Sequence, residues 1–143
     1  MELKKCSLQY LFLANNSLGT HGALMISEIL KKNDSLIFLN INRNKISSEG
    51  IRELAEALQT NETLRALKLF WNNFNEESIE SFHSLLQKHR RKIKLDFGVD
   101  IDQMEFKLFK RKRYMLYEND FSFHDFLMEE NRQDSEFVLN NYS

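Results

Sequence analysis

One hydrophobic pattern recurs along this chain at a spacing of 28 residues. Leu8, Leu11, Leu13, Asn16 and Leu18 are answered by Leu36, Leu39, Ile41, Asn44 and Ile46, then by Leu64, Leu67, Leu69, Asn72 and Phe74. The alternation inside each block has the period of two that marks a short strand, with leucines on one face and the intervening residues on the other. Beyond each block the period changes. Ala23, Ile26 and Leu30, then Ile51, Leu54, Ala55 and Leu58, then Ile79, Phe82 and Leu86 fall at helical spacing. Each unit therefore predicts strand, turn, helix and return. A unit of this kind cannot bury its own apolar face and must stack on its neighbours, so the pattern predicts a solenoid.

Gly22 and Gly50 occupy equivalent places near the helix starts, where a tight turn or close backbone approach favours glycine; the third unit has Ser78 there, which predicts an altered turn. The segments LQYLFLANNSLGTHG, LIFLNINRNKISSEGIRELAEAL and LRALKLFWNNF resemble the leucine-rich repeat of the ribonuclease-inhibitor subfamily, over residues 8 to about 90. The resemblance implies an α/β fold, a short leucine-rich-repeat solenoid with a parallel sheet inside and helices outside. It also implies that Asn16, Asn44 and Asn72 form a structural ladder whose amides bond neighbouring backbone.

Leu95, Phe97 and Asp100 continue the pattern as a partial fourth strand, after which it fails. Leu3 to Ser7 reads like the end of an earlier repeat, comparable with Leu30 to Ser35, and predicts a short isoform or the C-terminal portion of a longer ancestor. Residues 1–102 are thus read as repeats and 103–118 as a hairpin-like cap over the last layer, built from two aromatic runs around Lys110 to Arg113. The cap region also has a weaker likeness to the end of a vertebrate leucine-rich-repeat protein. Residues 119–143 form an acidic aromatic tail, with Ser122 placed to cap a short helix bearing Phe123, Phe126 and Leu127 on one side. Docking of this tail on the body or a partner and a free tail are both open on sequence grounds.

Charge is balanced overall but not locally. Residues 88–113 carry ten basic against four acidic side chains, and 114–143 carry one against seven. The basic segments at 89–94 and 110–113 suggest nuclear import or phosphate contact, with a solvated helix end and a solvated turn as the plainer reading. No membrane-length apolar run and no secretory leader pattern is present, and Cys6 is the single cysteine, which excludes an internal disulfide. A cytoplasmic location, with the nucleus as a second possibility, is the expectation.

Catalytic chemistry is sparse. His21, His83, His89 and His124 lack metal-ligand spacing, and Cys6 has no evident base. Asp96, Phe97 and Gly98 spell a kinase-like triplet without the other kinase motifs, and Asp96, Asp100 and Asp102 lack EF-hand spacing. Asn15, Asn33, Asn61 and Asn141 begin N-x-Ser/Thr sequences; the recurrence of Asn33 and Asn61 at the repeat period favours a turn role over glycosylation. No metal or cofactor is implied.

The strand positions between the ladder leucines face the concave side. Tyr10, Phe12, Phe38, Asn40, Lys68 and Phe70, with Arg43 and Trp71 just beyond their strands, are the candidate partner-binding residues, because aromatic patches and Arg dominate interface hot spots. The leading expectation is a non-enzymatic module that binds a protein partner there, with self-covering by the aromatic tail as the competing reading. Further alternatives are a GTPase-activating or regulatory protein supplying Arg43, and a nuclear or nucleic-acid-associated adaptor using the basic segment 88–113. No membrane and no small-molecule substrate enter the reading.

Overall fold

The computed structural model describes residues 7–88, 93–96 and 122–141. In chain order its elements are β1 (Tyr10–Phe12), α1 (Gly19–Lys32), β2 (Phe38–Asn40), α2 (Ser48–Ala57), β3 (Ala66–Lys68), α3 (Glu76–Lys88), β4 (Lys94–Asp96) and α4 (Phe123–Asn141). The strands form one parallel sheet in sequence order. Its register follows the repeat: Leu11, Leu39, Leu67 and Leu95 align across the four strands. The fold is a short α/β leucine-rich-repeat solenoid.

The leucine row and the apolar stripes of the helices make one core. Leu39, Leu67, Leu30, Ile51, Leu54 and Phe82 are fully buried in it. Burial of each such side chain contributes about 1.5–3 kcal/mol before entropy is counted. The first unit departs from the even ladder the repeat predicts. Leu8 is 47% exposed, whereas its counterparts Leu36 and Leu64 are buried, and Leu11, Leu13 and Leu18 are only partly covered. The reason is position, since among the described residues β1 has a neighbouring strand on one side only. In α3, Leu85 joins the core; the side chain of Leu86 lies outside the described residues.

Two sets of asparagines stitch the turns together. Asn44 Oδ1 accepts from the backbone N–H groups of Asn16 (2.9 Å) and Leu18 (3.2 Å), while its Nδ2 donates to the carbonyls of Leu13 (2.8 Å) and Asn42 (3.0 Å). Asn72 repeats the arrangement on Asn44, Ile46, Ile41 and Leu69. Asn16 has no earlier described unit to bind and donates one bond, to Ala14. On the return side, buried Asn61 donates to the carbonyls of Leu30 (2.9 Å) and Asn33 (3.0 Å) and accepts from the N–H groups of Thr63 and Leu64. Those bonds commit its amide.

Gly50 of α2 packs closely against α1. A Cβ there would lie 2.8 Å from Ile46 Cγ2 and 2.9 Å from Ala23 Cβ. At the third start, Ser78 is accommodated by reciprocal bonds with Asn75: its N–H donates to Asn75 Oδ1 (2.9 Å) and its hydroxyl accepts from the Asn75 N–H (3.0 Å). The altered turn predicted at Ser78 is thus a capping box.

The tail is a helix of 19 residues rather than the short one the sequence suggests. Ser122 and Asp125 start it as a second capping box, with the Asp125 N–H donating to Ser122 Oγ (3.1 Å) and the Ser122 N–H to Asp125 Oδ2 (3.1 Å). The proposed cap at 103–118, the basic cluster 110–113, Phe97, Asp100 and Cys6 lie outside the described residues.

Candidate functional site

Strand alternation brings three rows of side chains to the concave face. The first is Tyr10, Phe38, Ala66 and Lys94, and the second is Phe12, Asn40, Lys68 and Asp96. A third, Ala14, Asn42 and Phe70, follows at the same period.

Helix α4 lies across the first row. Phe123 meets Tyr10 (ring centroids 5.2 Å), Phe12 (5.0 Å) and Phe38 (4.9 Å), mostly edge to face, and Phe126 meets Phe38 at 5.3 Å. Farther along, Glu130 pairs with Arg65 and Glu129 with Lys94. The dimensions explain the fit. Seven residues from Phe123 to Glu130 rise about 10 Å along a helix, and two strand spacings span about the same distance. One helix face thus sets aromatics on β1 and β2 and carboxylates beside β3 and β4.

This coverage changes the expected partner site. Phe38 is fully buried under Phe123 and Phe126, and Tyr10 is half-buried beneath Phe123. Lys68 is buried too, with its Nζ 3.1 Å from Asp96 Oδ2 on the adjacent strand. Neither Phe38 nor Lys68 is presented to a partner in this arrangement. The kinase-like triplet beginning at Asp96 therefore starts with a residue engaged in a sheet ion pair. The 28-residue register already sets Asp96 beside Lys68, so that pair had a signal in the sequence. Covering of these aromatics by the tail is the competing reading of the sequence, and α4 provides it; which rings meet had no signal, because the residues of α4 have no counterpart in the repeat.

Among the described residues nothing lies over the other end of the face. Asn15, Arg43 and Trp71 hold the same place in successive units, and all three have left-handed backbone, with φ of 61°, 53° and 58°. Asparagine tolerates this conformation; for Arg and Trp it costs on the order of 1–2 kcal/mol. The neighbouring bonds hold it in place, since the Arg43 N–H donates to the Phe70 carbonyl (2.7 Å) and the following Asn44 N–H to Asn72 Oδ1. The result is a side-by-side pair: the Arg43 guanidinium sits 4.3 Å from the centroid of the Trp71 ring. Phe70 stands edge-on to Trp71 at 5.4 Å. Trp71 is 62% exposed and Phe12 51%. Asn40 is half-buried and accepts from the Asn42 N–H, while Asn42 Oδ1 accepts from the Phe70 N–H. Arg43, the residue named for the GTPase-activating alternative, is held in the tryptophan stack.

Among the described residues no group of three or more His, Cys, Asp or Glu side chains is arranged to hold a metal ion. None of their helices is long and apolar enough to cross a membrane.

Residues 32–55 and 60–82 match the family model described as Leucine Rich repeat. The matched segments make up less than half of the chain, and they agree with the leucine-rich-repeat solenoid seen in the fold. No curated protein sequence matches the chain. Among solved structures it is similar to "Leiomodin-1 Actin-Binding Site 2 (ABS2)", with a TM-score of 0.62 at 21% identity, covering 95% of this chain and 73% of that one. At that identity the likeness speaks to the fold.

Proposed function

We propose that this protein is a non-enzymatic protein–protein interaction module of ribonuclease-inhibitor type that grips a protein partner with the open part of its concave face. The observation that carries the reading is the Arg43–Trp71 stack with Phe70 at its edge. A large aromatic ring left mostly exposed to water adds little apolar burial to the solenoid, whereas Trp and Arg at such a place supply binding energy to an interface. Phe12 and Asn40 extend the surface toward the sheet. The leiomodin-1 segment is named for actin binding, which supports a protein as the partner class. The reading takes no cofactor, small-molecule substrate or membrane, and works in the cytoplasm or nucleus. The finer likeness to leucine-rich repeat-containing protein 34 rests on residues outside the described ones.

The test is affinity capture with wild type and with Phe70→Ala combined with Trp71→Ala. The double variant should lose the partner at an unchanged melting temperature. Retention of every captured protein by a folded double variant would refute this surface.

A further inference from the structure

We propose that the covered part of the concave face is a receptor groove for an acidic amphipathic helix of a protein partner, and that α4 occupies it as a stand-in. The inference rests on the interaction-module reading but uses a different set of residues.

The sheet carries two separate apolar clusters. The leucine core is assembled from the strands and α1 to α3, with no residue of α4 in it. The second cluster joins Phe38 and Ala66 of the sheet to Phe126 of α4, with Tyr10, Ile37, Phe123 and Leu127 around them. Removing α4 would therefore leave the solenoid's own core intact and uncover an aromatic groove.

That groove has a direction. Tyr10, Phe12 and Phe38 make its β1–β2 end aromatic, while Arg65 and Lys94 make its β3–β4 end basic. A helix that fits must carry aromatics at i and i+3, an aliphatic residue at i+4 and carboxylates at i+6 and i+7. α4 meets that requirement with Phe123, Phe126, Leu127, Glu129 and Glu130. Among the described side chains of α4, Phe126 is the one apolar contact residue that is fully buried, and the ion pairs of Glu129 and Glu130 are partly exposed. Such pairs add little net stability in water. The groove also runs into the open surface, because Phe12 touches Phe38 and Phe123 yet remains half exposed.

The test uses the full-length chain and two fluorescently labelled peptides. One is residues 119–143; the other is an alanine-rich helix that keeps only the two phenylalanines, the leucine and the two glutamates at α4 spacing. Two variants loosen α4 in place: Phe123→Ala with Phe126→Ala, and the gentler Glu129→Lys with Glu130→Lys, which leaves the aromatics alone. Both peptides should bind both loosened forms about tenfold or more tightly than wild type, because the wild-type groove is mostly occupied. Adding Arg65→Glu and Lys94→Glu to the phenylalanine variant should weaken both peptides, and lysines in place of the peptide glutamates should restore them. Equal binding to all forms, or no restoration by charge exchange, overturns the proposal. Binding of the 119–143 peptide alone makes α4 a fixed part of the fold and also overturns it. A wild-type dimer dissociated by the 119–143 peptide assigns the groove to a second copy instead. The Phe70 and Trp71 variants play no part in this titration, so either reading can fail while the other stands.

Discussion

Phe126 lies against Phe38 with ring centroids 5.3 Å apart and planes inclined at 49°, and both rings are buried. The pair joins the only tail side chain fully withdrawn from water, among those described, to the first residue of the second strand. Such aromatic pairs contribute about 0.5–1.5 kcal/mol beyond the area they bury. Phe126→Ala should therefore release α4 while the solenoid stays folded. Hydrogen exchange should show lost protection in residues 126–130 with the amides of β2 and β3 still protected; loss of both together would merge α4 with the main core.

The asparagine ladder should be graded by position. Asn44→Ala removes the partner of two backbone N–H groups and of the Leu13 C=O, each costing about 1–3 kcal/mol if left buried and unpaired, while the Asn42 C=O keeps its bond from the Asn15 N–H. Asn16→Ala removes one exposed bond and should cost far less. Urea unfolding of the two variants gives the comparison, and equal losses would contradict the ladder as the source of the effect.

Gly50→Ala should destabilise by about 1–3 kcal/mol, the usual range for overpacking. The added methyl must displace both Ile46 and Ala23, which are themselves fully buried. Thermal unfolding measures it, and a stabilised variant would mean that the α1–α2 contact is looser than the structure has it.

Much of this architecture was legible because one period governs strand, turn and helix together. Leu39 and Leu67 share a register that no other pairing satisfies, and Asn44 and Asn72 recur where the backbone needs an amide. What escaped was whatever lacks a partner in the repeat. The helix cap at Ser122 was visible, and covering of the concave aromatics by the tail was one of two open readings; which rings Phe123 and Phe126 meet was not legible, since one amphipathic face fits many surfaces. The left-handed backbone at Arg43 and Trp71 was hidden for another reason. Neither residue type favours it, and at Arg43 bonds to the neighbouring unit hold it.

Acid should loosen the start of α4. The hydrogen bond from the Ser122 hydroxyl, and secondarily the bond from the Ser122 N–H, hold the Asp125 carboxyl below its ordinary value of 3.8. When α4 unfolds, Asp125 takes up a proton at higher pH than it does in the helix. Its contribution is thus present above the ordinary value and lost as pH falls through the lower value of the folded helix. Exchange protection of residues 123–128, followed from about pH 5 to pH 2, should decline in wild type and be flatter in Asp125→Asn. Identical profiles would remove Asp125 from the cap.

The most direct measurement of the central claim uses Trp71, the single tryptophan of the chain. With 5-fluorotryptophan incorporated, the free protein should give one fluorine resonance with a large solvent-isotope shift between H2O and D2O, as expected for an exposed ring. Saturation with the captured partner should move that resonance and abolish its solvent-isotope shift. A resonance that keeps its position and its full isotope shift with the partner bound would contradict the account.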